Sequence, residues 1–367
     1  MRLLQRGMSL IEVMVAVVIG MIGILVITQA YITSDNFNRA TLGEGGAQMN
    51  GLLALYSMER DLRMAGWAIN NSNARSCGLL NWSYNNVLST NMGGTLANIR
   101  VAPVVITADT VTPSNPDTIQ VMYGSDGERM MPTTINAFSS AAPDISVDGS
   151  DGFTAGDYII LASAGGCSLR RVSSVQSVSQ KLVMASGGGF LQNPSAWGTF
   201  PTPAKDDVVI SLGSTPVLRT YVISNGRLAS DDNLITAGAA ARTDIVDSIV
   251  DLRALYGKDT NADNIVDRYD TNTPTTAAGW LQVLSIKVGI LSRIGNYEKP
   301  STSGGNCYAT TASNAPTWSG STATGQVVTA NPFLKVDVST ATSQDRCYRY
   351  RVFETVVPLR NMIWAAS

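Results

Sequence analysis

Histidine is absent from this sequence of 367 residues. Its absence excludes Ser-His-Asp and Cys-His nucleophilic catalysis, histidine-ligated zinc and histidine general bases. The G-x-G-x-x-G, Walker, H-E-x-x-H and G-x-S-x-G motifs of common enzyme classes are also missing. Carboxylate-only chemistry is not excluded, but the absence of histidine and of any catalytic motif leads us to expect a protein that is not an enzyme.

Charge is scarce as well. Charged residues make up 15% of the chain, against about 25% in typical domains, and the net charge is −2. Ser, Thr, Asn and Gly supply the polarity instead, which is typical of an exposed, loop-rich β domain. Arg170 and Arg171 form the only adjacent basic pair. We therefore expect no nucleic-acid partner.

One long apolar run dominates the N-terminus. It extends from Gly7 to Ile27 and reads GMSLIEVMVAVVIGMIGILVI. A run of roughly 18 or more apolar residues can cross a bilayer as a helix. Arg2 and Arg6 precede it, and basic residues stay on the cytoplasmic side, so residues after about Ile32 are predicted to lie outside. No A-x-A cleavage site follows, so this is not an ordinary secretory signal.

A single carboxylate, Glu12, interrupts the apolar run. It costs on the order of 2.5–3.5 kcal/mol on insertion scales. If the chain is cut after Gly7, Met8 becomes the N-terminus and Glu12 lies one helical turn further on. Both the amine and the carboxylate are poorly solvated in lipid, so each gains from a partner in a neighbouring subunit. Glu12 is therefore predicted to direct assembly; the alternative is a signal anchor with a stray glutamate.

These features together resemble a class III prepilin signal. Such a signal has a short basic leader ending in glycine, an apolar residue after the cut, glutamate at the fifth mature position and an apolar helix. It is found in type IV pilins and in the pseudopilins of type II secretion. The resemblance implies a leader at residues 1–7, cleavage between Gly7 and Met8 by a prepilin peptidase, N-methylation of Met8, and an assembly helix at residues 8–32.

Residues 33–66 are predicted to continue the helix. An apolar stripe at spacings of three and four favours a helix face packed on the following domain. Glycines at 43, 45, 46 and 51 weaken its middle, so a kink or frayed turn is expected near Gly43–Gly46. The stripe consists of Leu52, Leu55, Met58, Leu62 and Ala65.

Two segments narrow the resemblance from pilins and pseudopilins in general to one family. Residues 59–67 read ERDLRMAGW and resemble the helix-end motif of PilW-type minor pilins, with Gly66 ending the helix. Residues 349–361, RYRVFETVVPLRN, resemble the final strand of the same proteins. The resemblance implies an α+β, type IV pilin-like fold. Its long N-terminal helix packs on a mostly antiparallel β domain at residues 67–367.

Short β-branched runs bounded by Gly, Asn, Ser and Pro predict the strands of that domain. Asn225-Gly226 predicts a hairpin turn. Residues 245–257 fit a helix or a strand, and residues 83–240 carry no motif that we can place. Gly304 to Asn331 is rich in Ser, Thr, Gly and Ala and predicts a long flexible excursion. The predicted strands are Val101–Thr107, Thr118–Tyr123, Asp157–Ala162, Asp207–Ser211, Val217–Ser224, Leu284–Ile294 and Tyr348–Val357.

The four cysteines form no C-x-x-C motif, so thioredoxin-like and zinc-ribbon sites are not expected. An even number of cysteines in a translocated chain suggests disulfides. Three pairings are possible, and the favoured one joins Cys77 to Cys167 and Cys307 to Cys347, because each pair links sequence neighbours. Free buried thiols are the alternative.

An Asp/Asn-rich loop at residues 259–270 has the oxygen spacing of an EF-hand-type calcium loop. Two residues depart from that pattern: Asn264 stands in place of the usual glycine, and Asp270 replaces the usual bidentate glutamate. Calcium binding and a solvated Asp/Asn turn both stay open. The candidate ligands are Asp259, Asn261, Asp263, the Ile265 carbonyl, Asp267 and Asp270.

The resemblance to PilW implies a minor pilin that helps to prime type IV pilus assembly and forms part of the tip complex. The implied partners are prepilin peptidase, the inner-membrane assembly platform, other minor pilins, the major pilin and a large tip adhesin. The chain would span the inner membrane once before assembly and lie in the periplasm and the cell-surface pilus afterwards. The alternatives are a J-type pseudopilin of a type II secretion system and a membrane-tethered adhesin.

Overall fold

The computed structural model describes residues 9–84, 87–88, 99–108, 115–125, 131–138, 144–185, 201–232, 241–298, 300 and 305–366. The helices are α1 (Leu10–Met64), α2 (Ser72–Ser76), α3 (Ala277–Leu281) and α4 (Arg360–Ala366), with a 3₁₀-helix at Gln344–Cys347. The strands are β1 (Leu80–Asn81), β2 (Ser83–Tyr84), β3 (Val87–Leu88), β4 (Val104–Thr107), β5 (Thr118–Tyr123), β6 (Thr133–Phe138), β7 (Asp144–Val147), β8 (Tyr158–Ser163), β9 (Gly166–Arg171), β10 (Ser174–Gln176), β11 (Lys181–Val183), β12 (Val208–Gly213), β13 (Val217–Ser224), β14 (Arg227–Asp232), β15 (Ala241–Asp247), β16 (Ile249–Lys258), β17 (Arg268–Asp270), β18 (Val283–Arg293) and β19 (Tyr350–Pro358).

Helix α1 is continuous over 55 residues. It passes through Gly43–Gly46 without leaving the helical conformation, so the frayed turn predicted there is wrong. Ala47, immediately after the glycines, is buried against the domain, and this packing compensates for their weak helix propensity. Gly66 has φ of +82°, which confirms that it ends the helix with a left-handed backbone.

A four-stranded antiparallel sheet, which we call the platform sheet, carries α1 on one face. Its order is β17-β16-β18-β19. Residues 245–257, which fitted a helix or a strand, form the end of β15 and most of β16. Nearly every residue of β16 is buried, because both faces of the sheet are covered. The alternation that identifies a half-exposed strand is therefore missing from its sequence.

The opposite face of the platform sheet is covered by residues 305–343, which we call the excursion. Trp318 is 6% exposed, packs on the bare backbone of Gly289, and donates a 2.7 Å hydrogen bond from Nε1 to the Asn331 carbonyl. Phe333 and Val327 join the same apolar cluster. The prediction of a flexible excursion is wrong for the part that the structure describes, because these anchors lie between its small polar residues.

Two further large sheets and the short β2-β3 pair complete the described part of the domain. One has five antiparallel strands in the order β15-β14-β13-β5-β4, and Asn225 and Gly226 form its tight turn with φ of +52° and +72°. The other has eight strands in the order β1-β9-β8-β12-β6-β7-β11-β10, and only β1 and β9 pair in parallel. Each strand predicted from the sequence is present. The largest boundary difference is the first, which begins at Val104.

Both favoured disulfides are confirmed. Cys77 pairs with Cys167 at a Cα separation of 5.6 Å, and Cys307 pairs with Cys347 at 4.8 Å. The first joins the residue that follows α2 to β9 of the eight-stranded sheet, and the second closes the base of the excursion. The long helix on a mostly antiparallel β domain confirms the predicted fold class.

Candidate functional site: the N-terminal helix and its anchor

The first half of α1 has no covering within the chain. From Leu10 to Ile32 nearly every side chain is exposed, and the most apolar 18-residue window of the helix has a mean hydropathy of 2.9. Among the described residues this is the one helix long and apolar enough to cross a membrane. An exposed apolar surface of this size requires a lipid or protein environment.

Glu12 lies in the first turn of α1, one turn after Ser9, whose carbonyl accepts a 3.0 Å hydrogen bond from the Glu12 amide. Its side chain is exposed, and no ion pair reaches it from the described part of the chain. The carboxylate is therefore available to a partner outside this chain. Gly7 and Met8 lie outside the described residues, so cleavage and N-methylation stay predictions.

The second half of α1 packs on the platform sheet through small residues. Gly51 lies against the ring of Phe353, where an added Cβ would come within 2.1 Å of the ring. Leu52, which the sequence placed in the packed stripe, is 54% exposed, so that assignment is wrong. A helix that approaches a sheet closely needs small side chains at the contact. The prediction considered hydrophobicity alone and therefore chose the neighbouring face of the helix, which carries larger apolar residues. The buried positions are Ala47, Gly51, Ala54, Met58, Asp61, Leu62 and Ala65.

The side of α1 turned away from the sheet carries large apolar residues. Met49, Leu52, Leu53 and Tyr56 are 70%, 54%, 48% and 66% exposed. Their spacing of three and four places them on one helix face. This face extends the apolar surface of residues 10–32 beyond any membrane, so it is suited to another helix. Sequence reasoning missed it, although two interleaved stripes, one of small and one of large residues, were its signal.

Asp61 anchors the end of α1 to the five-stranded sheet. The side chain is 1% exposed and accepts hydrogen bonds from Arg219 at 2.7 Å, Tyr221 at 2.8 Å and Tyr123 at 3.2 Å. Burial and the neighbouring Asp61 carboxylate raise the pKa of Tyr123 to about 12. The same two causes raise the pKa of Tyr221. Both phenols therefore stay protonated as donors. Polar contacts from two strands, β5 and β13, hold the end of α1 in its orientation.

In the loop predicted to bind calcium, the candidate carboxylates make hydrogen bonds and ion pairs with other groups of the same segment. Asp259 accepts backbone N–H groups from residues 261–264 at 2.7–3.3 Å. Asp270 binds Lys258 Nζ at 2.6 Å and Arg268 Nε at 2.9 Å. Asp267 accepts from Thr260. No group of three or more acidic, histidine or cysteine side chains in the described ranges is arranged to hold a metal ion.

These internal contacts engage the candidate carboxylates, so calcium would have to displace them in order to bind; calcium binding stays a prediction. Melting the full chain in detergent with calcium and with a chelator tests it. Calcium at about 100 times its Kd would stabilise the chain by about 2.7 kcal/mol. Joint replacement of Asp259 and Asp263 by Ala would remove that increment. An equal melting temperature in calcium and in chelator would show that this loop does not bind calcium.

Two family models match the sequence. Residues 213–361 match PilW, described as Type IV Pilus-assembly protein W. Residues 2–28 match the prokaryotic N-terminal methylation motif, which includes Glu12. The chain carries a PilW domain behind a prepilin-type methylation motif. No curated protein matches the sequence. Among solved structures, a type IV-like pilin from Thermus thermophilus matches with 9% identity and a TM-score of 0.35, covering 86% of this chain and 96% of that chain.

The PilW domain comprises the platform sheet, the excursion and most of the five-stranded sheet. The eight-stranded sheet lies almost wholly before residue 213 and so outside the match. The matches indicate a minor pilin in type IV pilus biogenesis that is processed by a prepilin peptidase, anchored in a membrane by α1 and assembled with other pilins. Pilin-family proteins are structural subunits rather than enzymes, in agreement with the sequence.

Proposed function

We propose that this PilW-domain protein is a tip subunit that primes polymerisation of the major pilin together with other minor pilins. Before assembly it spans the inner membrane once, with its N-terminus in the cytoplasm. The assembly platform then transfers it into the pilus, where a large tip adhesin is a further partner. The support comes from the position of the eight-stranded sheet relative to α1.

The eight-stranded sheet is attached beyond the C-terminal end of α1. The Cys77–Cys167 disulfide attaches the chain just after α2 to β9, and Ile69 packs in one apolar cluster with Leu169 of β9 and Leu212 of β12. In a filament built by stacking parallel helices, the space beyond a subunit's distal end is filled by the next subunit. A whole additional sheet in that place fits a subunit at the end of the filament better than one within the shaft.

Gold labelling of pili tests the tip location. Val178, at a turn between β10 and β11, is 103% exposed, so a short epitope inserted there leaves the cores intact. We expect label at one end of each sheared pilus. Label distributed along the shaft would contradict the tip location while leaving incorporation itself intact.

Replacing Glu12 by Ala is expected to uncouple insertion from assembly. The variant is more apolar, so it should insert and be cleaved normally. In the filament, the Met8 amine would then lie buried without its partner, at roughly 3–5 kcal/mol. A tenfold loss requires only about 1.4 kcal/mol. We therefore expect at least about tenfold less of the variant in sheared pili, with processed membrane protein unchanged.

The matched control is Asp35→Ala, further along the same helix and away from the platform sheet. Asp35 pairs with Arg39 at 2.8 Å on the surface, and such exposed i,i+4 pairs contribute about 0.3–0.5 kcal/mol. It should enter pili normally. Normal recovery of Glu12→Ala in pili would show that Glu12 does not direct assembly.

A further inference from the structure

Strand β19 forms a free edge of the platform sheet. Among the described strands, its nine residues pair only with β18. Long free edges are normally shortened, bulged or covered, because they template pairing with other chains. Pro358 protects only the last position of β19. An edge of this length left available is consistent with a partner.

The register identifies which backbone groups are free. Ile294 donates to the Arg349 carbonyl at 2.8 Å, and Ser292 lies opposite Arg351. In an antiparallel pair, alternate residues bond to the neighbour, so the odd-numbered residues of β19 bond to β18. The even-numbered ones direct N–H and C=O outwards. No backbone partner for them occurs in the described part of the chain. These residues are Tyr350, Val352, Glu354 and Val356.

Both faces of β19 make contacts within the chain, in contrast to its edge. Phe353 packs on Gly51 of α1. On the other face, Val352 packs with the excursion's apolar cluster, and Glu354 Oε2 accepts hydrogen bonds from Ser319 at 2.7 and 2.8 Å. The strand is thus held rigidly between α1 and the excursion, and a partner need not order it on binding.

A groove of ≈ 300 Å³ follows the first part of this edge. Arg349 to Val352 line it, with Glu44 of α1 as one wall and Pro316 of the excursion as the other. Further along the strand, Val356 is 45% exposed. The groove beside the first residues of β19 and the exposed edge around Val356 together leave room for a polypeptide lying beside the strand.

We propose that the β19 edge accepts an extended strand from a neighbouring pilus subunit, which continues the platform sheet. An extended chain presents N–H and C=O groups at the repeat of the free β19 groups, about 3.4 Å per residue, which a helix does not. Next to Val352 and Val356 it would place apolar side chains. The identity of the neighbour as a pilus subunit rests on the proposed function.

Residue-resolved amide hydrogen exchange tests the pairing directly. It compares the full chain in detergent with the chain in sheared pili. Amides of Phe353 and Thr355, bonded to β18, should be protected in both. Those of Val352 and Val356 should exchange rapidly in detergent and at least tenfold more slowly in pili. Equally rapid exchange in pili would overturn the pairing. Protection already in detergent, with a concentration-dependent dimer, would show a second copy as the occupant and overturn the proposed one.

A substitution pair separates the backbone donor from the side chain. Val356→Pro and Val356→Ala both remove the valine, but only proline removes the outward N–H, while Thr355 and Val357 keep their bonds to β18. We expect Val356→Pro to reduce incorporation into pili at least tenfold relative to Val356→Ala, with an equal melting temperature. Equal incorporation would contradict the pairing. If the wild-type chain is absent from pili, the proposed function fails as well; if it is present, only the pairing is overturned.

Discussion

Replacing Arg253 by Met is expected to cost roughly 3–5 kcal/mol of unfolding free energy, as found when one partner of a buried ion pair is removed. Arg253 is 2% exposed and lies 3.2 Å from Asp117 and 3.1 Å from Asp251, both of which are fully buried. Methionine keeps the apolar stem but leaves two carboxylates without a counter-charge. Equilibrium unfolding of the full chain in detergent, followed by near-ultraviolet circular dichroism, measures the loss.

The buried cluster of Arg253, Asp117 and Asp251 also holds the excursion in place. Asp251 accepts backbone N–H groups from Leu334 and Lys335 at 3.0 and 3.1 Å, and Asp117 accepts from Asn331 at 2.7 Å. We therefore expect proteolysis in the excursion to accelerate in the Arg253→Met variant. If its excursion is cleaved no faster than in the wild type, the cluster does not hold it.

Acidic pH should reduce the effect of Arg253→Met. Burial raises the pKa of both Asp117 and Asp251 despite the arginine, and removing the arginine raises it further. A raised folded-state pKa gives stability that is present at low pH and lost as pH rises through it. The variant's deficit should therefore shrink as pH falls. The surface control is Arg242→Met, whose arginine is 48% exposed and pairs with Asp231; its cost should stay below about 1 kcal/mol.

Replacing Asp61 by Asn is expected to cost about 2–3 kcal/mol, because hydrogen bonds to a charged group contribute about 1.5–3 kcal/mol each and the amide nitrogen cannot accept them. Arg219 keeps its second partner, Asp232, at 3.2 Å, which limits the loss. The end of α1 would then be attached to the domain by its apolar contacts and by Asn361, whose Nδ2 donates to the Met64 and Ala65 carbonyls.

The matched control for Asp61 is Asp35→Asn on the same helix. Asp35 pairs with Arg39 at 2.8 Å, but both side chains are exposed. Such i,i+4 pairs contribute about 0.2–0.5 kcal/mol. Unfolding in detergent should therefore separate the two variants clearly. Equal stability of Asp61→Asn and Asp35→Asn would mean that the buried network does not anchor the helix.

Local patterns in the sequence predicted part of the elements. The apolar run and its extension predicted α1, β-branched runs predicted seven of the nineteen described strands, and Asn225-Gly226 predicted a hairpin, because each depends on neighbouring residues. Even the disulfide pairing followed from proximity along the chain. These features need no knowledge of the tertiary structure.

The sequence could not reveal which surfaces meet. Asp61 finds its partners on β13, far away in the sequence, and Arg253 resembles a surface residue until both faces of β16 are covered. The predicted stripe on α1 selected Leu52 instead of Gly51, because close packing depends on the shape of Phe353. Whether the backbone groups of β19 are free depends on the order of the strands in the sheet. The local residue patterns of the sequence do not determine that order.

The account depends most on processing of the N-terminus. Glycine has no Cβ, so a peptidase can approach the Gly7 carbonyl closely. Mass spectrometry of the chain recovered from sheared pili should show a first residue of Met8 carrying an N-methyl group, with Glu12 at the fifth position. A mature chain that begins at Met1, or one that is recovered only from membranes, would contradict assembly as a pilin.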